Sequence, residues 1–341
     1  MQLKTVGLDI AKHVFQLHGV DETGKILFRK QLRRPKLLAF FKSCPPCTVA
    51  LEACGGAHHW AREIAKLGHQ VRMIPPAYVR PFVKRQKNDA ADAEAICEAV
   101  QRPSMRFVPV KSEQTQASAM VFRARDLVVR QRIQIINALR GHLAEFGIIA
   151  PQGPAHVPRL IEFVRNPAGG IPDAARSVLN ILIDALHVLE DKVKLLDKEI
   201  AKRAQEDEDA RRLATIPGVG PITATALVAL APSVTNFRRG RDFAAWLGLT
   251  PKQHSTGGKQ ILGATSKMGE RTLRRLLILG ACTVVQHAGQ RQIPKNSWLA
   301  RMLARKPRML TIVALANKMA RIVWALMNNG GVYQASVGAL A

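Results

Sequence analysis

The spacing of apolar residues changes along the chain, and the first hundred residues consist of short runs. Alternation over residues 14–20 indicates a half-buried strand, and the turn at 21–24 predicts a hairpin with the run that follows. The predicted strands cover residues 3–9, 14–20, 26–31, 48–52 and 71–74. The predicted helices cover residues 37–43, about 58–67 and a segment that begins near Asp89. This part of the chain is therefore expected to be an α/β domain.

Longer helical periods follow. Residues 112 to about 147 are predicted to form one long helix with a basic exterior, and Pro151–Pro154 breaks the chain. Apolar residues then recur at 182, 186, 189, 193, 196 and 200, which is the spacing of a coiled-coil seam. We expect this seam to form an intermolecular coiled coil or a helical hairpin. The predicted regions are an α/β domain over 1–110, long helices and a coiled coil over 111–208, and an all-α domain over 209–341.

Acidic residues stand at the ends of the predicted elements. Asp9 ends the first strand, Glu52 ends the fourth, and Asp89 and Asp92 lie three residues apart on one helical face. Three strands followed by alternating helix and strand is the order of the ribonuclease H-like fold, in which the first and fourth strands are neighbours. The four carboxylates are therefore expected to converge. The alternative is that Asn88 caps the helix and that Asp89 only complements its dipole.

Four convergent carboxylates repel one another unless a cation neutralises them. Carboxylate oxygens are hard ligands that suit Mg²⁺ or Mn²⁺. Two such ions would stabilise the attacking and leaving oxygens of a phosphoryl transfer. The acids therefore predict a divalent-metal site for phosphodiester chemistry.

The charge balance indicates a polyanionic partner. The chain has 51 Lys and Arg against 25 Asp and Glu, a formal net charge of +26, and nucleic acid is the expected partner. Only 5% of the residues are aromatic, so phosphate contacts are expected to outweigh base stacking. The candidate nucleic-acid contacts are Lys84, Arg85, Lys87, Arg123, Arg130, Gly218, Gly220, Arg238, Arg239, Lys259 and Lys267.

Two stretches of the last region carry particular signals. Residues 216–224 resemble a helix-hairpin-helix motif, whose glycines and free backbone N–H groups hold a phosphate; an ordinary helix–helix turn is the alternative. Residues 248–259 are too rich in glycine and polar residues for a packed element and are predicted to form an exposed loop. Helices are expected around 297–305 and 309–328.

The sequence also suggests a compartment. The first apolar run is interrupted by Lys4 and Asp9, unlike a signal peptide, and Lys318 and Arg321 interrupt the longest apolar run near the C-terminus. Five cysteines lack the spacing of a disulfide framework. We expect a cytoplasmic, nucleoid-associated bacterial protein.

A family resemblance emerges from seven motifs taken in order. They are Gly7–Lys12, Leu51–Gly56, Lys87–Asp92, Ile216–Gly220, Gly248–Pro251, His254–Gly258 and Ser266–Gly269. The chain resembles the DEDD transposases of bacterial insertion sequences, recombinases that are guided by a bridge RNA. The match covers nearly the whole length.

The resemblance implies a RuvC-like nuclease domain with Asp9, Glu52, Asp89 and Asp92 as metal ligands. It also implies a separate transposase domain with a serine nucleophile, which corresponds to Ser255. DNA, a bridge RNA and further copies of the chain are the implied partners. Thr256 and Ser266 remain alternatives as nucleophile. Two other functions remain open: a junction-resolving nuclease that uses water, and a non-catalytic nucleic-acid scaffold.

Overall fold

The structure is a computed structural model that describes residues 2–84, 88–290 and 297–334. The chain divides into two compact units, Met1–Gln116 and Ala117–Ala341. Strands and a sheet dominate the first unit, and helices dominate the second. The expected mixture of an α/β part and a helical part is confirmed at this level. The boundaries 1–110, 111–208 and 209–341 stay a prediction.

The first unit is built on a five-stranded sheet with the order β3-β2-β1-β4-β5. The strands are β1 (Thr5–Ile10), β2 (Val14–Val20), β3 (Ile26–Arg33), β4 (Thr48–Glu52) and β5 (Gln70–Ile74). The first three form an antiparallel meander, and β4 and β5 run parallel to β1. Val6 and Leu8 of β1 and Phe15 and Leu17 of β2 are buried in one apolar cluster. Their alternation along each strand places them on the same face of the sheet.

Helices cover both faces of this sheet. They are α1 (Leu37–Ser43), α2 (Ala57–Lys66), α3 (Pro76–Val79) and α4 (Asp89–Val100). Trp60 and Ile64 of α2 join one apolar cluster with Leu8 of β1. Ile96 of α4 joins another with Ala50 of β4. The two faces of the sheet are therefore closed by different helices.

Gly7 of β1 determines how closely α4 approaches the sheet. A Cβ atom at this position would lie 2.7 Å from the backbone nitrogen of Cys97 and would overlap the carbonyl oxygen of Ala93. Both of those residues belong to α4, so the helix backbone occupies the space that any other side chain at position 7 would need. The absence of a side chain thus fixes the distance between β1 and α4.

In the part that the structure describes, the second unit consists of long helices, short helices and one small hairpin. Its helices are α5 (Glu113–Ala144, which begins in the first unit), α6 (Val157–Arg165), α7 (Asp173–Glu206), α8 (Glu208–Leu213), α9 (Pro221–Leu230), α10 (Gly240–Trp246), α11 (Arg271–Gln290), α12 (Trp298–Arg305) and α13 (Arg308–Asn329). One apolar cluster joins α5, α6 and α7, and a larger one is centred on α9, α11 and α13. The predicted long helices are confirmed.

The predicted seam of α7 lies partly inside the chain. Leu186 and Ile200 are fully buried, and Leu186 packs with Leu139 of α5 and Leu160 of α6. Arg125 of α5 also forms an ion pair with Asp197 of α7. An intermolecular seam is therefore the wrong interpretation for these buried positions. They form a helical hairpin within the chain, which is the alternative that the spacing also allowed.

One helix among the described residues, α13, is long and apolar enough to cross a membrane by length and composition. Its residues Ile312, Leu315, Met319 and Val323 are buried in the larger core cluster of the second unit. A core helix passes the same test of length and composition, and packing accounts for these apolar side chains.

Candidate active site

Three of the predicted acids meet at one end of the sheet. Each of Asp9, Asp89 and Asp92 offers a carboxylate oxygen, and the three oxygens lie within 4.8 Å of one another. Asp9 stands near the end of β1, and the other two occupy the first turn of α4. Asp9 and Asp92 are half-buried, whereas Asp89 is exposed. We call these three residues the acidic cluster.

The local structure of α4 aims its acids at β1. Asn88 has an extended backbone, and its side-chain oxygen accepts a hydrogen bond from the N–H of Ala91 at 2.8 Å. The predicted N-cap is thus confirmed, and it starts the helix at Asp89. Capping and convergence are therefore compatible, because the cap places Asp89 and Asp92 on the turn that faces Asp9.

Glu52 lies next to the acidic cluster but outside its tight group. Leu8 of β1 pairs with Leu51 of β4, so that Asp9 and Glu52 follow at the ends of neighbouring strands. The charge of Glu52 also contributes to the raised pKa of Asp9, after burial and the charges of Asp92 and Asp89. Within the described residues, only the three aspartates meet the 4.8 Å separation.

The electrostatics of the site favour a cation. Burial, followed by the charges of Asp92, Asp89 and Glu52, raises the pKa of Asp9 to about 6. The neighbouring thiol of Cys54 also has a raised pKa, first because of burial and then because of Glu52 and Asp9. A set of oxygen donors that repel one another fits a hard divalent ion. Asp9, Asp89 and Asp92 would hold such an ion, and Glu52 would lie beside them.

Ser255 lies in the second unit, in a hairpin rather than an irregular loop. Strands β6 (Pro251–Gln253) and β7 (Leu262–Thr265) pair, and Gly257 and Gly258 form the tip with positive φ angles of 53° and 77°. The prediction of a loop over 248–259 is wrong in this respect, because two glycines permit a tight turn that closes a β-ladder. The segment is exposed, as expected.

The Ser255 hydroxyl is held by the hairpin's own backbone. Its Oγ accepts a hydrogen bond from the N–H of Ile261 at 3.2 Å, and the side chain is exposed. Thr256 pairs through its backbone with Lys259 at the hairpin tip. Ser266 follows β7, is half-buried, and donates its backbone N–H to Thr250 at 2.8 Å. Ser255 is thus the more exposed of the two candidate serines, and a hydrogen bond from Ile261 orients its hydroxyl.

The candidate cationic contacts differ in their surroundings. Lys84 forms ion pairs with Glu94 and Glu98 of α4, at 3.3 and 3.7 Å, which gives it a structural role as well. Arg85 and Lys87 lie outside the described residues. Arg123 and Arg130 are exposed on α5, and Arg130 pairs with Asp126 at 3.6 Å.

The remaining candidates cluster in the second unit. Gly220 is exposed at the start of α9, where no side chain caps the helix. Gly218 has a φ angle of 83°, and a Cβ there would lie 2.6 Å from the carbonyl oxygen of Gly280 in α11, so packing alone explains this glycine. Arg238, Arg239, Lys259 and Lys267 are exposed. Lys267 has a φ angle of 55°, the one positive value among the described residues other than glycine.

Sequence reasoning missed the part that Gly7 plays in the site. The residue belongs to the motif Gly7–Lys12, yet its role depends on a helix that comes some eighty residues later (α4 begins at Asp89). A glycine inside a strand is the signal that could have revealed it, because such a glycine often marks a close backbone approach.

Comparison with known protein families gives matches along much of the chain. Residues 6–148 match the family model DEDD_Tnp_IS110, described as a transposase, and residues 210–295 match one described as the transposase IS116/IS110/IS902 family. The first match contains the whole acidic cluster, and the second contains Ser255.

Several relatives match over nearly their full length. A probable family 20 transposase of Pseudomonas aeruginosa is 48% identical over 98% of this chain and 99% of its own. The transposase for insertion sequence element IS1328 of Yersinia enterocolitica is 41% identical, over 96% and 98%. The transposase for element IS1111A of Coxiella burnetii is 37% identical, over 97% and 92%. Similarity of this extent, on a chain with this acidic cluster, shows that the protein belongs to the IS110 family of transposases, enzymes that cut and rejoin DNA.

Proposed function

We propose that this transposase cuts DNA with a metal held by Asp9, Glu52, Asp89 and Asp92 and with Ser255 as the nucleophile. The observation that carries the proposal is the acidic cluster, since three carboxylates whose oxygens lie within 4.8 Å of one another repel and therefore favour a bound cation. Glu52 completes the set from the neighbouring strand. Mg²⁺, or Mn²⁺ in its place, is the proposed ion.

The topology of the first unit supports a ribonuclease H-like, RuvC-like assignment. The fold needs its first and fourth strands as neighbours with acids at their ends. The order β3-β2-β1-β4-β5 has this neighbourhood, and Asp9 and Glu52 lie near the ends of β1 and β4, which supports the assignment. The helix-borne Asp89 and Asp92 then supply the remaining ligands.

A bound divalent ion would polarise the phosphodiester and stabilise the charge that develops on its oxygens. The Ser255 Oγ attacks phosphorus and loses its proton, the Oγ–P bond forms, and the bond from phosphorus to the 3′ oxygen breaks. The 3′ oxygen takes up a proton, and a phosphoserine link keeps the energy of the broken bond. Attack of another 3′ hydroxyl on that link reverses the step and rejoins the strands without ATP.

The hydrogen bond from Ile261 to the Ser255 Oγ supports this role, because it leaves the hydroxyl exposed and oriented. The two alternatives have other surroundings. The backbone of Thr256 pairs with Lys259 in the turn, and Ser266 is half-buried. They remain the alternatives if Ser255 is dispensable.

The surplus of 26 positive charges supports a large polyanionic assembly. We propose donor and target DNA, a bridge RNA that selects them, and a homo-oligomer of the chain as its components, acting in the bacterial cytoplasm. Phosphate contacts from Lys84, Arg123, Arg130, Gly220, Arg238, Arg239, Lys259 and Lys267 would hold the nucleic acids.

A covalent protein–DNA adduct tests the proposal directly. The full-length protein is incubated with Mg²⁺, end-labelled DNA of the element's junction and RNA transcribed from its flanks, then denatured and resolved on a gel. A labelled band at the protein's size is expected for the wild type and for Ser266→Ala. It is expected to be absent for Ser255→Ala. Cleavage without any adduct would instead identify a nuclease that uses water, and DNA binding without cleavage would identify a scaffold.

A further inference from the structure

A cavity of about 300 Å³ adjoins the acidic cluster in the first unit. Its lining includes Ile10, Lys12, Arg34, Cys54, Gly55 and Trp60. Ile10 directly follows Asp9, and Cys54 comes two residues after Glu52. The cavity therefore lies beside these two acids. We propose that this cavity, the cationic pocket, binds the DNA phosphate that neighbours the scissile one. The proposal rests on the proposed function, because it takes the acids as the place of cleavage.

Two cations define one side of the cationic pocket. The Arg34 side chain donates a hydrogen bond to the carbonyl oxygen of Lys12 at 3.3 Å, and its guanidinium lies 4.9 Å from the ring centroid of Trp60. These contacts fix the guanidinium beside Lys12. Neither residue forms an ion pair within the described part of the chain. Two exposed, unneutralised cations at one cavity attract an anion.

The buried indole of Trp60 indicates the same kind of ligand. Trp60 is 5% exposed, and its Nε1 is buried without a hydrogen-bond acceptor among the described residues. A buried donor that lacks an acceptor is costly. A metal ion does not relieve that cost, since an N–H group needs an oxygen. Trp60 lines the pocket, so a small movement of its side chain on binding would bring Nε1 within hydrogen-bond distance of a phosphate oxygen there.

The start of α2 adds further donors. Gly56 precedes the helix with a φ angle of 87°, and no side chain caps the first turn. Backbone N–H groups at an uncapped helix start, together with the helix dipole, favour a negative charge. A Cβ atom at Gly55 or Gly56 would meet nothing within 4 Å, so the entrance beside the glycines is open.

The distance from the acidic cluster suits a neighbouring phosphate of the same strand. Three residues of extended chain, from Asp9 to Lys12, span at most about 11 Å. One DNA strand carries a phosphate for about every 3.4 Å of helix axis. A strand whose scissile phosphate lies at the acids therefore places another phosphate within reach of Lys12 and Arg34.

The indole resonance of Trp60 offers a direct test. The full-length chain, labelled with ¹⁵N at its four tryptophans, is titrated with a single-stranded DNA octamer, and Trp60→Phe assigns the signal. We expect the Trp60 N–H proton to move downfield as the DNA binds. We also expect Arg34→Gln to abolish that shift while the other three tryptophan signals stay in place, which shows that the variant is folded.

Affinity measurements provide the second arm. Lys12→Gln combined with Arg34→Gln should weaken binding of the octamer about tenfold or more, and should lower the slope of log affinity against log salt by about 0.7. The control is Lys25→Gln combined with Lys42→Gln, which removes the same charge outside the pocket and should have the smaller effect. Equal effects of the two pairs would overturn the proposal.

Failure of this proposal can be told apart from failure of the proposed function. A Trp60 signal that stays in place at saturating DNA, in a protein that still forms the serine adduct, refutes the pocket alone. An octamer of RNA that shifts the signal when DNA does not would also refute it. A wild type that shifts Trp60 with DNA but never forms an adduct refutes the proposed nucleophile and leaves the pocket standing.

Discussion

Asp92 of α4 and Asp9 of β1 bring carboxylate oxygens within 4.8 Å of each other at the contact between helix and sheet. After burial, the charge of Asp92 is the largest cause of the raised pKa of Asp9. The folded protein therefore holds together two groups that repel unless a cation or a proton lies between them. This relationship makes metal binding, protonation and stability depend on one another.

Replacing Asp9 by Asn is expected to separate these effects. Asp9→Asn should abolish Mg²⁺-dependent strand cleavage, because a charged ligand is lost. In the absence of metal it should raise the thermal midpoint by a few degrees, because a buried repulsive charge is removed. A gel assay with labelled DNA measures the cleavage, and calorimetry with and without Mn²⁺ measures the thermal midpoint. The exposed Glu22→Gln is the matched control, and full cleavage by Asp9→Asn would refute the metal assignment.

The raised pKa of Asp9 also sets a pH dependence. The pKa is about 6 in the folded protein and about 4 in the unfolded chain. The folded state thus binds more protons between these values, so the stability of the metal-free protein should fall as pH rises from about 4 to about 6. Mn²⁺ affinity should rise over the same range and level off above about pH 7. Titrations at several pH values measure it, and equal affinity at pH 5.5 and 7.5 would contradict this expectation.

Mixtures of variants should reveal whether the acids and the serine of different copies act together. Ser255→Ala and Asp9→Asn are each expected to be inactive in strand transfer. Each keeps the group that the other lacks. If copies share their catalytic groups, the mixture regains part of the activity in a recombination assay. An inactive mixture of proteins that still assemble would show that both groups must come from one chain.

Assembly is predicted to use the outer face of α7. The buried seam positions Leu186 and Ile200 belong to the chain's own core, but Ile181, Val188 and Leu195 are 57–67% exposed and recur every seven residues. That spacing is typical of a seam between two helices. Val188→Asp with Leu195→Asp should therefore lower the oligomeric state, measured by sedimentation.

The control for this change adds the same charge elsewhere on α7. Ser177→Asp with Gln205→Asp places two aspartates at exposed polar positions and should leave the oligomer intact. A homo-oligomer that survives Val188→Asp with Leu195→Asp would show that other surfaces hold the copies together.

Local patterns were sufficient for most of the first unit. The strands Val14–Val20 and Thr48–Glu52 have the predicted boundaries, as does the helix Leu37–Ser43. The cap by Asn88 was also predictable. Each of these features depends on neighbouring residues, such as alternation for a strand or a polar side chain before a helix, so the signal is contained in a short window.

Features that depend on distant partners were harder to predict. Apolar residues occupy two faces of α7, and the sequence pattern did not decide which face the rest of the chain covers, because that depends on α5 and α6. The hairpin around Ser255 was hidden because its strands have only three and four residues and are almost wholly exposed, so no buried face marks them. The separation of Glu52 from the three aspartates likewise depends on side-chain directions across two strands and a helix.

Gly7 gives the acidic cluster its dimensions without contributing an atom to it, since the backbone of α4 fills the space of the missing side chain. The four acids alone therefore do not define a working copy of this chain, because their spacing also depends on the residue at position 7. A copy that keeps all four acids but carries alanine or valine at this position would hold them too far apart to share an ion. We expect such a copy to be immobile, although an inventory of its ligands would count it as intact.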